Sequence, residues 1–343
     1  MELVKRIFVS FWLLLSAIFA NAQDIQFSQF YAAQTYISPA FAGAAHDIRG
    51  ILHSRLQWPS LDAKYNTMFV SGDVFLHQYN SGVGFYMLRD WVGSSTITST
   101  ELQGQYAYEL HLNDRYAIRF GLQAGLIYRT LNYNNLRFPN QFDNTGFQGD
   151  SIPPSLTGRD SKIMPDISTG AMFYGKRIWG GLGIHHLNQP NQGFTTNDPL
   201  KMRVSLIGGY RIPLIAGHHM AYMHDSPVFE IIPTFHYKSQ LKNDQLDLGM
   251  YGQYEQLMAG FWYRGIPVKN IDPQVINNES IVLMVGWQYK DLSISYSYDI
   301  VVSRLTQAGS GGAHELNITY LHQKHNKHHK PMKRLPCPSF YRH

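Results

Sequence analysis

Polar and apolar residues alternate with a period of two along most of this chain, the spacing of a strand with one wet and one dry face. In the segment from Ile97 to Leu110, Thr98, Thr100, Leu102, Gly104, Tyr106, Tyr108 and Leu110 share one side, while Glu101, Gln103, Gln105 and Glu109 share the other. Beyond the short link Asn113-Asp114 the pattern resumes, with Tyr116, Ile118, Phe120, Leu122, Ala124, Leu126 and Tyr128 set against Arg115, Arg119, Gln123 and Arg129. Near the C-terminus, Leu292, Ile294, Tyr296, Tyr298 and Ile300 alternate with Ser293, Ser295, Ser297 and Asp299, and Leu316, Ile318 and Tyr320 with Glu315, Asn317 and Thr319. A helix would spread these charges around its whole circumference. The pattern predicts about fourteen strands, bounded at roughly twelve to sixteen, with even numbers suiting a closed bacterial barrel. The predicted spans are 47–58, 64–77, 81–90, 97–111, 115–129, 164–176, 178–187, 201–212, 227–238, 244–253, 256–265, 280–289, 291–302 and 313–322.

Several of these strands exceed the about nine to eleven residues that cross a bilayer and the about five or six usual in globular sheets. Only a closed sheet satisfies every backbone polar group in hydrocarbon, so the fold class is an all-β transmembrane antiparallel β-barrel. Connection lengths agree. With periplasmic N- and C-termini, the odd connections face outward, and those at Leu131 to Ile163, Asn188 to Leu200, Ile266 to Glu279 and Arg304 to Gly312 are long and rich in Asn, Asp, Gly and Pro. The even ones, at Asn80-Ser81, Asn113-Asp114, Ile178 and Lys290-Asp291, are short, as barrels of this class require. The connection from Pro213 to Pro227 breaks the rule: it is a periplasmic feature or a slip of register.

Composition sharpens the reading. Aromatic residues make up 14% of the chain and charged residues only 15%, against about 25% charged in ordinary soluble domains. Aromatic girdles and an apolar outer band create that demand. The first 22 residues read as a cleaved signal peptide: Lys5 and Arg6, an apolar run from Phe8 to Phe19, then Ala20-Asn21-Ala22, too short to span as a helix. The expected organisation is 1–22 signal peptide, 23–46 N-terminal periplasmic or plug segment, 47–322 outer-membrane barrel, and 323–343 basic, disordered periplasmic tail. That tail holds Lys324, Lys327, Lys330, Lys333, Arg334 and Arg342 without an acidic residue. Its location, not its charge, excludes nucleic acid as a partner.

Candidate chemistry is sparse. The 16 histidines include the adjacent pairs His185-His186 and His218-His219, but neighbours on a strand point to opposite faces. The His-containing tail reads as a solvated basic segment. Gly180-Gly181-Leu182-Gly183 lacks the spacing and following helix of a phosphate loop and reads as strand glycine where a wall bends or packs tightly. No Gly-x-Ser-x-Gly elbow is present, so no catalytic residue, metal ligand or cofactor is expected. Glu101, Glu109, Arg115, Arg119 and Arg129 fall on the inward face as an internal salt-bridge network or a selectivity lining. The single Cys337 cannot form an internal disulfide.

Three stretches carry a resemblance. The mature N-terminus, Asp24-Ile25-Gln26-Phe27-Ser28-Gln29-Phe30 and then Ile37-Ser38-Pro39-Ala40-Phe41-Ala42-Gly43, resembles the opening of the PorP/SprF family, D-P-Q-F-S-Q-Y followed by N-P-A-Y-A-G, with Ile25 and Ser38 as departures. Phe261-Trp262-Tyr263-Arg264-Gly265-Ile266-Pro267 is similar to the family's W/Y-Y-R-G-x-P stretch, and Ser293 to Asp299 with Gly312-Ala313-His314-Glu315-Leu316 to its last two strands. Pro336-Cys337-Pro338 resembles the ends of some members. The resemblance implies an outer-membrane component of type IX secretion in Bacteroidota that supports the secretion or surface attachment of a partner such as a gliding adhesin. Its other contacts would be further secretion components and outer-membrane lipid. The family brings no catalytic residue. Gln26, Phe27, Ser28, Gln29, Pro39, Ala40, Gly43, Tyr263, Arg264, Gly265 and Pro267 are then structural or partner contacts, and Phe27, Phe30, Tyr31 and Tyr36 pack as a plug or as an amphipathic segment at the barrel mouth. The alternative function is a passive channel for small solutes.

Overall fold

The structure, a computed structural model, describes residues 24–62, 64–93, 95–136, 142–143, 146–147, 159–194, 196–216, 227–241, 243–272, 275–303 and 309–322. Its strands are β1 (Ile48–Gln57), β2 (Tyr65–Leu76), β3 (Ser81–Val92), β4 (Ile97–His111), β5 (Tyr116–Asn132), β6 (Arg159–Gly175) and β7 (Ile178–His185). They continue as β8 (Arg203–Tyr210 and Ile212–Ala216), β9 (Pro227–Gln240), β10 (Asn243–Tyr254), β11 (Leu257–Asp272), β12 (Val275–Tyr289), β13 (Leu292–Val301) and β14 (Ala313–His322). The two segments of β8 flank Arg211 and both pair with β9, so the 15 hydrogen-bonded segments of the sheet form a ring of 14 strands. The ring closes where β1 pairs with β14, from Ile48↔His322 to Gln57↔Ala313.

The alternation sorts side chains as a membrane wall needs. Leu102, Phe120 and Leu122 are 56%, 55% and 63% exposed on the outside, while Gln103, Arg119 and Gln123 between them are buried. No helix among the described residues is long and apolar enough to cross a membrane; the strands do so. At the end where β1 starts and β14 finishes, the terminal end, the described turns are short. Tyr108, Tyr116, Tyr254, Tyr289 and Tyr320 ring the wall there, all exposed, as an aromatic girdle.

The structure corrects three expectations about connections. Ile266 to Glu279 is not a loop: β11 runs to Asp272 and β12 starts at Val275, paired through several register shifts. The bulged ladder tolerates Pro267, which has no N–H to donate, and Gly265 takes the φ of +143° at the first shift. Leu131 to Ile163 is shortened in the same way, because β5 reaches Asn132 and β6 begins at Arg159. At Pro213 the strand does not end but passes through a bulge to Ala216, leaving 217–226 outside the described residues.

Residues 24–47 lie inside the barrel. They form a chain with one helical turn, α1 (Gln34–Ile37), and a 3-10 turn over Pro39–Phe41, and from Phe27 to Asp47 every residue is buried. No strand period exists here because the segment packs on all sides. Phe30 and Tyr31 meet Trp262, with the Tyr31 and Trp262 rings stacked at 6.0 Å. Phe27, Tyr36, Phe69 and Tyr86 form a second aromatic cluster. Against the wall of β3, β5, β6 and β7, the plug backbone lies on glycines. A Cβ at Gly82, Gly121, Gly170 or Gly183 would collide with Ala42, Ala40, Ser38 or Ile37. Gly180–Gly183 therefore serves tight packing: Gly181 lies under the Phe41 ring and Gly183 under the Ile37 carbonyl.

Replacing Gly121 by Leu should force the plug off this seam, at an overpacking cost of about 1–3 kcal/mol or more. Hydrogen exchange read peptide by peptide checks it: residues 24–47 lose protection while the wall, still heat-modifiable on a gel, keeps it. Unchanged protection would show that the seam is not sterically closed.

Candidate functional site

The junction between plug and wall gathers most of the chain's buried charge. At its centre stands Ser28. Its backbone N–H and that of Gln29 donate to the two oxygens of Glu315, at 2.6 and 2.8 Å. Its hydroxyl donates to Asp299 Oδ2 at 2.5 Å and accepts from Arg55 Nη1 and Arg264 Nη2, at 2.8 and 2.9 Å. Arg264 continues to Asp299 (2.9 Å) and Asp247 (2.8 Å), and Arg55 also pairs with Glu315. With its amide oriented to suit its neighbours, Gln26 accepts from Arg264 Nε at 2.7 Å. Gln29 donates to Ser297 Oγ at 3.1 Å. The three stretches that carried the family resemblance, the first more than 200 residues from the other two, thus meet at one serine. Tyr263 is half-buried on the outer side of β11, and Gly265 and Pro267 belong to the bulged continuation of the same strand.

Two further arginines hold the descending half of the plug. Arg119 donates to the carbonyls of Ala40 (3.1 Å) and Ala42 and pairs with Glu109 at 2.7 Å. Arg49 grips Asp73 through two nitrogens, at 2.9 and 3.0 Å, and reaches the Phe41 carbonyl. Asp73 also accepts from Gly43 N–H at 2.7 Å. Gly43 has a φ of +70°, and a Cβ there would sit 2.6 Å from the Gly82 Cα; Pro39 and Ala40 lie over Gly121.

The third cluster lies at the opposite, loop end of the barrel. Asp24 contacts His186, just past β7, at 2.8 Å; Arg203, which opens β8, at 3.2 Å; and Gln240, which closes β9, through its backbone N–H at 2.9 Å. Asp24 and Ile48 therefore sit at opposite ends of the lumen. His186 lies between Asp24 and Asp166 (2.8 Å each). Burial alone would lower its pKa, but the carboxylates of Asp24 and Asp166 outweigh burial and raise it to about 10. Burial would raise the Asp24 carboxyl; His186 and Arg203 reverse that and hold it well below the usual carboxylate range.

Of the predicted lumen residues, Glu109 and Arg119 pair directly, Glu101 accepts from the Tyr86 hydroxyl at 3.4 Å, and Arg129 reaches Gln192. Arg115 is a correction: it has the inward parity but lies in the exposed turn before β5 begins. Sequence reasoning passed over Arg49, Asp73, Arg203 and Asp247, and weighed His186 only as half of a histidine pair. Arg49 and Arg203 share the inward parity of their strands, the one signal that could have found them. His185 and His186 do point apart, to the Ile37 carbonyl and to Asp24. Among the described residues no group of three or more acidic, His or Cys side chains could hold a metal. His218-His219, Pro336, Cys337 and Pro338 lie outside the described residues.

The Asp24–His186 latch has a defined pH window. The Asp24 contribution is present above its unfolded value near 3.8 and is lost as pH falls through its depressed folded value. That of His186 is complete below about 6.5 and is lost as pH rises through about 10. Glu101, Asp166, His185 and Arg203 face the same pair. Hydrogen exchange at residues 24–30, corrected for intrinsic rates, should be slowest between roughly pH 4 and 6.5 and accelerate toward pH 10; a flat profile would exclude the latch. Removing Arg264 takes the buried guanidinium that Asp247 and Asp299 share, a loss of about 3–5 kcal/mol. Arg264→Ala should then lower the heat-modification midpoint far more than the exposed Arg115→Ala.

Among solved structures, the chain is similar to outer-membrane proteins. A FadL homologue of Pseudomonas aeruginosa is 13% identical, with a TM-score of 0.37 over 80% of this chain and 88% of that one. The CymD monoaromatic hydrocarbon channel is 10% identical, with 0.40 over 86% and 94%. BamA from Haemophilus ducreyi is 8% identical, with 0.40 over 80% and 69%. No curated protein matches the chain. The description of the type IX secretion system membrane protein PorP/SprF matches residues 19–320. With the plug, its central serine and all but the last two residues of the wall inside that match, the chain belongs to the PorP/SprF family of type IX secretion membrane proteins.

Proposed function

We propose that this barrel is a non-enzymatic scaffold of type IX secretion that supports the secretion or surface attachment of a partner protein, of the kind a gliding adhesin represents. The observation that carries the reading is the filled lumen. A passive channel needs a wet path, and here the inward charges are spent on the chain's own N-terminal segment. What remains for a partner is the rim. At the loop end, β5 with β6 and β11 with β12 continue as hairpins past the level where β7 to β10 stop pairing, giving a raised and notched edge with Asp24 in the notch. In this reading the terminal end and the basic tail of 323–343 face the periplasm and other secretion components, and the raised rim faces the cell exterior.

Deleting the gene and comparing, by mass spectrometry, the culture medium and the protein shaved from the cell surface tests the proposal. One or a few large proteins should vanish from the surface, and the full-length chain should restore them. An unchanged surface proteome, with steady conductance of the purified barrel in planar bilayers, would replace this reading by a solute channel.

A further inference from the structure

On the outer face of β2 and β3, near the loop end, the apolar wall gives way to a cationic cleft. Met68, Val70, Phe85, Met87 and Leu102 are all exposed, as a lipid-facing band requires. The register then sets Arg89 between Met68 and Thr100, and Trp91 between Asn66 and Thr98. Beyond them a cavity of about 170 Å³ is lined by Lys64, Asn66, Trp91 and Ser95. The Arg89 guanidinium lies over the Trp91 ring, 5.0 Å from its centroid, so stacking holds it in place at the edge of the band.

Both cations are exposed, and among the described residues neither has a carboxylate within ion-pair distance. Asp90, the neighbour of Arg89, points the other way, into the lumen, where Thr67 donates to it at 2.6 Å. A long cationic side chain at a membrane boundary often does no more than reach for water. Here Lys64 lines the cavity with an amide, a hydroxyl and an indole, and Arg89 lies over that indole, directly above exposed methionines and leucine that acyl chains would cover. Guanidinium and ammonium groups with neutral donors recognise phosphate oxygens, and the apolar band below supplies the tail contact.

We infer that Lys64, Arg89, Asn66, Trp91 and Ser95 form a binding site for the phosphate headgroup of a membrane lipid, fixed to the outer wall of the barrel. The site rests on the membrane placement of the barrel and not on the identity of any secreted partner. It lies on the opposite side of the wall from the plug, so its variants leave the buried network untouched.

The test uses the full-length protein in neutral detergent and native mass spectrometry. The probes are phosphatidic acid and diacylglycerol with the same acyl chains, which differ only in the phosphate. Wild type should retain phosphatidic acid about tenfold better than diacylglycerol, as a pair of charge-assisted contacts would give. The double variant Lys64→Ala with Arg89→Ala should lose that preference while keeping wild-type heat modifiability. Trp91→Leu, which removes the ring beneath Arg89, should reduce the preference in part. Equal retention of the two lipids by wild type, or an undiminished preference in the double variant, would overturn the site and leave only side chains reaching for water. Displacement of the lipid by millimolar inorganic phosphate would overturn the lipid assignment, since the cleft would then read free phosphate alone.

Discussion

A buried guanidinium costs several kcal/mol unless its hydrogen bonds and charge are both met, and the inward wall of this barrel carries several. Arg49, Arg55, Arg119, Arg203 and Arg264 are each 3% exposed or less. Wall carboxylates meet part of the demand, through Asp73, Glu109, Asp247, Asp299 and Glu315. The rest is met by the plug: the carbonyls of Tyr36, Ala40, Phe41 and Ala42 accept from Arg203, Arg119, Arg49 and Arg119, and the side chains of Ser28, Gln34 and Tyr36 accept from Arg55, Arg264, Arg49 and Arg203. That division explains why the plug itself is uncharged between Ile25 and Ala45. A plug bearing its own charges would compete with the wall pairs, whereas carbonyls and N–H groups complete them.

The wall was legible in the sequence because one physical rule governs each of its residues. Lipid outside and polar contacts inside force a period of two, so β4, β5, β13 and β14 could be read residue by residue. The rule weakens where the ladder does. Pro213 and the Ile266–Glu279 stretch carry loop residues, yet the strands run on through bulges, and a bulge changes register without leaving a periodic trace. Arg115 fails for a related reason: parity assigns a side of the strand but not the point at which the strand ends.

The plug was legible only as an irregular aromatic segment, and the choice between lumen and barrel mouth stayed open. Its contacts reach partners more than 200 residues away, and no local spacing encodes them. The resemblance motifs marked Ser28, Arg264 and Glu315 separately; their convergence needs the closed ring. The glycines show the same limit. In sequence, Gly121 and Gly183 are strand residues that weaken a wall. In the barrel they are what lets the plug backbone lie against it.

The position of Ser28 ties the plug to closure of the barrel. Glu315 lies on β14 and Arg55 and His53 on β1, the two strands whose pairing completes the ring, and His53 also contacts Glu315 at 3.1 Å. An Arg55–Glu315 contact spans that seam, and the N–H groups of Ser28 and Gln29 satisfy the carboxylate from within. Residues that share one hydrogen-bond network do not contribute independently. Joining the first strand to the last and seating residues 24–30 are therefore one cooperative step: an unseated plug leaves Glu315 and Arg264 short of partners, and an open seam separates the groups that hold Ser28. An arrangement of this kind favours a rigid wall and a permanently occupied lumen, and it leaves the rim and the lipid-facing surface as the parts of the molecule free to meet something else.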